Sequence, residues 1–187
     1  MVWINSDYVE EFAVLTTWLS VLLPWSVVQG NISVLDGGGK ETEVVILRFP
    51  LFGIRYVFGS GVFDGTTVQT PYGFFQGTSA SAAAGAASQS AAHLAWTVAA
   101  VAFLAMFVLS LAMYLEVDVL RALPGRGVYV VGALMLVLAV TYTVAALVLN
   151  AHQATKILGL DLFVPVGLLG TLFFYLFGGL TLFADRT

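Results

Sequence analysis

The chain has 187 residues, of which 59% are apolar and only 10% are charged, and its mean hydropathy is +0.95. A soluble domain usually carries about 25% charged residues, so this composition indicates an integral membrane protein. Eleven acidic against seven basic residues give a net charge of −4, which argues against a nucleic-acid partner because such a partner requires a basic face. The sequence has no cysteine, which excludes disulfides, thiolate metal sites and a cysteine nucleophile.

Four apolar segments are long enough to cross a hydrocarbon core of about 30 Å, which requires about 20 helical residues. They contain no Asp, Glu, Lys or Arg, and they cover residues 12–28, 91–115, 128–150 and 162–183. The first is the shortest. Pro24 predicts a kink or a helix terminus near its end, because proline removes a backbone donor and clashes with the preceding turn. The following Trp25 fits the interfacial aromatic belt of a membrane protein.

These segments predict an all-α transmembrane four-helix bundle with a large first loop. Its parts are residues 1–28 (N-terminal tail and first span), 29–90 (loop) and 91–187 (the other three spans and a short C-terminal tail). Three arginines lie in the short segments on the side of the termini, and one lysine lies in the opposite short connection, 151–161. This excess favours cytoplasmic termini and an extracellular first loop in a multi-pass protein of the plasma membrane. Asn31 begins an Asn-Ile-Ser sequon and is a candidate glycosylation site on that loop.

The first half of the extracellular loop has the pattern of short β-strands. Residues 32–35 and 43–49 flank the glycine-rich turn 36–40, and this arrangement predicts a β-hairpin because glycine supplies the positive φ of tight turns. Segments 54–58 and 66–70 predict a third and a fourth strand. We therefore expect a small extracellular β-sheet built as a strand meander.

Two parts of this loop have competing interpretations. Residues 44–58 are apolar enough for a re-entrant or interfacial helix, but their β-branched and aromatic residues, punctuated by Pro and Gly, favour the sheet. Residues 78–92 are almost wholly Ala, Ser, Gly and Gln, and form either a flexible tether or the start of the second helix.

The sequence offers no catalytic or metal-binding motif. It contains no nucleophile elbow, zinc-protease motif or phosphate-binding loop, so we expect a non-enzymatic protein without a cofactor. Tyrosines aside, His93 is the one titratable residue in the predicted spans, and its place near the start of the second span indicates a histidine at the headgroup boundary. Two histidines without an acidic neighbour in sequence do not supply the three or four ligands of a zinc site.

Arg48 and Arg55 are the charged residues of most interest, because each interrupts an apolar and aromatic run. One interpretation is that they extend to lipid phosphates or pair with Glu41, Glu43 or Asp64 of the same loop. The functional interpretation is a contact with an anion, a lipid headgroup or a partner protein.

Small residues recur along the predicted spans and predict close helix packing, because apolar side chains gain nothing by leaving lipid tails. The candidate packing residues are Ala95, Ala99, Gly132, Gly167 and Gly170. They predict a compact bundle, and their alternative use is a lateral interface with another membrane protein or within a homo-oligomer.

Several segments carry a resemblance to known families. The four spans and large first outer loop resemble the claudin-like layout, although this chain lacks the cysteines of the claudin loop signature, so no claudin residue is carried over. The segments SDYVEEFAVL (6–15), LPWSV (23–27), RFPLFGIRYVFG (48–59) and VPVGL (164–168) resemble an uncharacterised four-span membrane protein family of halophilic archaea. This resemblance implies a plasma-membrane protein of a salt-loving archaeon and transfers no functional residue.

The sequence thus predicts a non-enzymatic tetraspan membrane protein that acts as a structural or accessory subunit through its outer loop and helix faces. Its expected partners are the lipid bilayer and another membrane protein or a second copy. One alternative is a small oligomeric transporter or channel, which would need several copies to build a pore from charge-free spans. The other is a lipid-binding protein that uses Arg48 and Arg55.

Overall fold

The computed structural model describes residues 8–33, 41–58, 65–80, 86–117, 126–151 and 168–183. In these ranges the chain forms helices and strands in the order α1 (Val9–Ser20), β1 (Ser26–Ser33), β2 (Glu41–Arg48), β3 (Gly53–Phe58), β4 (Gly65–Gln69), α2 (Pro71–Ser79), α3 (Ala86–Tyr114), α4 (Arg126–Ala151) and α5 (Leu168–Phe183).

Two of these helices are long and apolar enough to cross a membrane. Helix α3 has 29 residues and α4 has 26, which correspond to about 44 Å and 39 Å at 1.5 Å per residue. Nearly all of the predicted second span, 91–115, and all of the third, 128–150, lie within them. Helix α5 has 16 residues within the predicted fourth span, 162–183, whose first six residues lie outside the described residues.

The helix predicted over residues 12–28 is wrong in its second half. Helix α1 ends at Ser20, and its 12 residues extend only about 18 Å. The chain then turns, and from Ser26 it continues as β1. Pro24 explains this change, because proline cannot continue the helical hydrogen-bond ladder. The Trp25 backbone N–H instead donates to the Arg48 carbonyl at 2.8 Å, which joins this segment to the end of β2.

The four strands form one antiparallel sheet in the order β1-β2-β3-β4, which confirms the predicted meander and makes the helical alternative for 44–58 wrong. Strand β1 begins at Ser26, six residues earlier than predicted. Its register with β2 pairs Val28 with Ile46. These two side chains and Val44 are buried on the sheet face turned toward the helices, which we call the inner face.

Helix α2 was not predicted. It lies between β4 and α3, and its Phe74 is buried. The signal is local: Thr70 is the N-cap, Pro71 is the first helical residue, and the Gly73 backbone N–H donates to the Thr70 hydroxyl at 3.2 Å. Helix α3 begins at Ala86, so the last residues of the predicted 78–92 spacer are helical, while residues 81–85 lie outside the described ranges.

Two indole rings fix the sheet to the helix bundle. Trp25 is fully buried, stacks on Tyr142 of α4 with ring centroids 5.0 Å apart, and meets Trp96 of α3 edge-on at 5.5 Å. Both indole N–H groups donate to the Phe49 carbonyl, at 3.2 Å and 3.1 Å, and that of Trp96 also reaches the Pro50 carbonyl at 3.2 Å. The prediction of Trp25 in an interfacial belt is therefore wrong, because its ring belongs to the core.

The small residues lie where backbones come close. A Cβ on Gly132 of α4 would collide with the Thr181 hydroxyl of α5, and one on Gly170 of α5 would collide with the Pro24 carbonyl. On α3, Ala99 is buried and Ala95 is half-buried. The remaining packing candidate, Gly167, lies outside the described residues.

Candidate functional site

The sheet register brings the two arginines together on the inner face. Arg48 pairs with Gly53 and Ile46 pairs with Arg55, so the arginines, on neighbouring strands, lie two residues apart along the pleat. Phe74 of α2 covers both. The Cζ atom of Arg48 lies 5.8 Å from its ring centroid, and that of Arg55 lies 5.7 Å from it. Each contact has cation–π geometry, although two like charges share one ring.

Arg48 is a buried cation. It is 1% exposed, and its Nη1 donates to the Ser26 hydroxyl at 3.3 Å. Its Nε atom has no hydrogen-bond acceptor among the described residues. Burial and, to a smaller extent, the nearby charge of Arg55 together lower the pKa of the Arg48 guanidinium to about 10. A pKa of about 10 still leaves the group charged at neutral pH, so the fold holds a desolvated positive charge here.

Neither arginine is paired with a carboxylate among the described residues. The Nε atom of Arg55, although the residue is only half-buried, also has no acceptor there. Of the acids predicted as partners, Glu43 lies on the opposite face of the sheet and accepts a hydrogen bond from the Gln29 side-chain amide. The Glu41 side chain and Asp64 lie outside the described residues.

His93 of α3 joins the arginines from the helix side. It is 3% exposed, its Nδ1 lies 3.2 Å from the Thr78 hydroxyl, and its Nε2 has no hydrogen-bond partner among the described residues. Its ring centroid lies 5.6 Å from that of Phe74. The ring is thus buried where the sheet meets the helices, and its predicted position at the headgroup boundary stays a prediction. We call Arg48, Arg55, Phe74 and His93 the basic cluster.

The sheet can approach the helices this closely because Gly53 has no side chain. A Cβ there would lie 2.6 Å from Cε2 of Phe74 and 3.0 Å from Cη2 of Trp96. The glycine thus leaves room for both rings against the strand that carries Arg55.

The basic cluster has the chemistry to hold negative charge. Two guanidinium groups offer unused N–H donors, and the surroundings have a low dielectric, which strengthens electrostatic contacts. Within the described ranges, no group of three or more metal-ligating side chains comes together. Sequence reasoning singled out both arginines but missed Phe74 and Thr78, because helix α2 was not predicted.

The described residues define an α-helical protein with two helices of membrane-spanning length and a small antiparallel sheet fixed to them above a basic cluster. The chain belongs to the family described as "Family of unknown function (DUF7549)", whose pattern matches residues 2–186. No curated protein is similar enough to the chain to count as a match.

Proposed function

We propose that this chain is a non-enzymatic, multi-pass membrane protein that serves as a structural or accessory subunit of a membrane assembly. In this proposal the chain crosses the membrane four times, in a tetraspan layout similar to that of claudins. Helices α3, α4 and α5 belong to three of the spans, and the remaining span is the segment that contains α1, whose 12 residues cover only about 18 Å of it. The termini are cytoplasmic and the sheet is extracellular. The resemblance to proteins of halophilic archaea supports a plasma-membrane location in such an organism.

The exposed faces of the long helices support a lipid environment. On α3 the outward positions carry large apolar side chains at helical spacing, namely Val98, Val101, Leu104 and Val108. On α4 they are Val137, Val140, Val144 and Leu147. Continuous apolar surfaces of this kind are unfavourable in water and favourable against lipid tails.

One observation carries the role as a subunit: an apolar row crosses the outer face of the sheet. Val27, Leu47, Ile54 and Val68 are direct neighbours across all four strands. Val68 on the edge strand is 65% exposed, and the other three are half-buried. The row lies at the end of the sheet that Trp25 joins to the bundle, so it adjoins the spans. It suits the apolar surface of a neighbouring membrane protein.

Native purification with crosslinking tests this role. We expect the wild-type protein to bring down one stoichiometric membrane partner. Val68→Lys should lose that partner, because a charge on the apolar row would be buried without a counter-charge on binding. Thr66→Lys, on the same face but in the next row, should keep it. A symmetric homo-oligomer with a hydrated central path would refute the proposal and favour a transporter or channel.

Asn31 remains a predicted glycosylation site. It lies in β1 and its backbone pairs with Glu43 of β2, within the sheet that the proposal places outside the cell. Mass spectrometry of the natively expressed protein, compared with Asn31→Gln, would detect a glycan at this position.

A further inference from the structure

The basic cluster contains more positive charge than the described residues neutralise. Two arginines and a histidine surround one aromatic ring, and no described carboxylate pairs with them. Buried charges in proteins are normally paired, because an isolated one costs several kcal/mol of desolvation. Here the charge belongs to Arg48, which is 1% exposed and held in place on both sides, by Ser26 and by Phe74.

Three unused polar atoms come from three different elements and surround Phe74. They are the Nε atoms of Arg48 on β2 and Arg55 on β3, and Nε2 of His93 on α3. A guanidinium Nε–H together with an Nη–H forms the fork that binds two oxygens of one phosphate or carboxylate. Two such forks favour a ligand with at least three acceptor oxygens, which is a phosphate group and not a single carboxylate.

The protonation of His93 is consistent with such a ligand. The Thr78 hydroxyl donates to the backbone carbonyls of Phe74 and Phe75, at 3.0 Å and 3.1 Å, and therefore accepts from the Nδ1–H of the imidazole. In the neutral ring this leaves Nε2 as an acceptor. A hydroxyl on a phosphate, or on the group attached to it, would donate to that atom.

The cluster comes closest to solvent on one side, although its three unused polar atoms are themselves buried. Arg55 is half-buried, and Thr67, its cross-strand neighbour on β4, is exposed. On the opposite side Arg48 is covered by β1 and the Trp25 segment. A ligand would therefore approach at the β4 edge, contact Arg55 first and place its charge toward Arg48.

We propose that the basic cluster binds a phosphate group at the junction of the sheet and the helix bundle, with Arg48 and Arg55 as its ligands and His93 as a hydrogen-bond acceptor. The phosphate is carried either by a lipid headgroup or by a free anion. This site is separate from the apolar row that carries the proposed subunit function, because the two lie on opposite faces of the sheet. An experiment can therefore refute phosphate binding without refuting the subunit role, and the reverse also holds.

The test measures thermal unfolding of the full chain in detergent, first without phosphate and then with increasing inorganic phosphate or a short-chain phosphatidylglycerol. We expect saturable stabilisation by at least one probe. Stabilisation by the lipid alone assigns a headgroup, and stabilisation by inorganic phosphate assigns a free anion. The proposal is wrong if neither probe raises the unfolding temperature in a saturable manner.

Variants separate binding from folding. Arg55→Gln should weaken the apparent affinity about tenfold or more, because it removes a positive charge and its hydrogen-bond donors from the site. Arg48→Met should abolish the ligand-dependent shift, and Arg55→Gln keeps the test valid if that variant does not fold. Arg126→Gln is the matched control. This arginine is the first residue of α4, and the next residue, Gly127, lies against Met113 at the far end of α3 from His93, so its loss should leave the affinity unchanged.

Asp64→Asn tests the competing source of negative charge, a carboxylate of the chain itself. If Asp64 supplies the counter-charge, this variant should be destabilised, and the wild-type protein should not respond to either probe. That pair of results would overturn the proposal. An unchanged phosphate response in Asp64→Asn would support it.

Discussion

Gly170 gives the sharpest test of how the last helix packs. A Cβ at this position would lie 2.8 Å from the Pro24 carbonyl carbon and 3.1 Å from Cα of Trp25, and closer still to the Pro24 oxygen. Carbon atoms in contact are normally about 3.5–4.0 Å apart. Because the obstacle is backbone and not a flexible side chain, Gly170→Ala must displace either α5 or the segment that leads into the sheet.

The same substitution at Gly179 is the matched control, because that glycine lies in the same helix and a Cβ there would meet nothing within 4 Å. Both variants gain the same helix propensity, about 1 kcal/mol. Their difference in stability therefore isolates the clash, which at the upper end of overpacking costs is about 3 kcal/mol. For a chain of this size this corresponds to an unfolding temperature about 6–12 °C lower for Gly170→Ala than for Gly179→Ala.

Thermal unfolding in detergent, followed by circular dichroism, measures that difference. If the two variants unfold within about 2 °C of each other, α5 does not pack against the Pro24 segment and the reasoning fails. A loss of stability in both variants would instead indicate that the helix requires glycine for another reason.

Three further predictions concern the junction of sheet and helices. Gly53→Ala should lower the free energy of chemical unfolding by about 1–3 kcal/mol, because its Cβ would lie 2.6 Å from an aromatic ring carbon of α2. Gly65→Ala is the control: its Cβ would meet nothing within 4 Å, so the free energy of unfolding should change by less than about 1 kcal/mol. Trp96→Phe should cost about 1–3 kcal/mol, because the buried Pro50 carbonyl loses its indole donor and the Phe49 carbonyl keeps only that of Trp25. The loss should exceed that of Trp18→Phe, whose indole donates to one hydroxyl in a partly exposed place, and equal losses would contradict this. Tyr142→Phe should raise the unfolding temperature, since the buried Tyr142 hydroxyl has no partner among the described residues, and a drop would indicate an unseen hydrogen bond.

Local chemistry in the sequence was sufficient for the sheet. The glycine-rich turn, the β-branched and aromatic composition and the punctuation by Pro and Gly predict strands, because each acts over a few residues. The end of α1 is a different case. The apolar segment of the predicted first span runs on through residues 26–28, although these residues belong to β1. A buried strand is as apolar as a membrane span, so composition does not separate the two. Only Pro24 signalled that the helix ends. Helix α2 was missed although its cap, Thr70 followed by Pro71, stands in the sequence.

The sequence alone indicated a membrane protein, because its charged residues are few and lie outside the long apolar segments. It also marked Arg48 and Arg55 as unusual. Only the tertiary structure decided where these arginines lie and what surrounds them. Strand register set them side by side on one face, and α2 and α3 brought Phe74 and His93 against them from positions distant in the sequence. Burial depends on which elements cover a residue, so no local pattern could show that Arg48 is a desolvated charge.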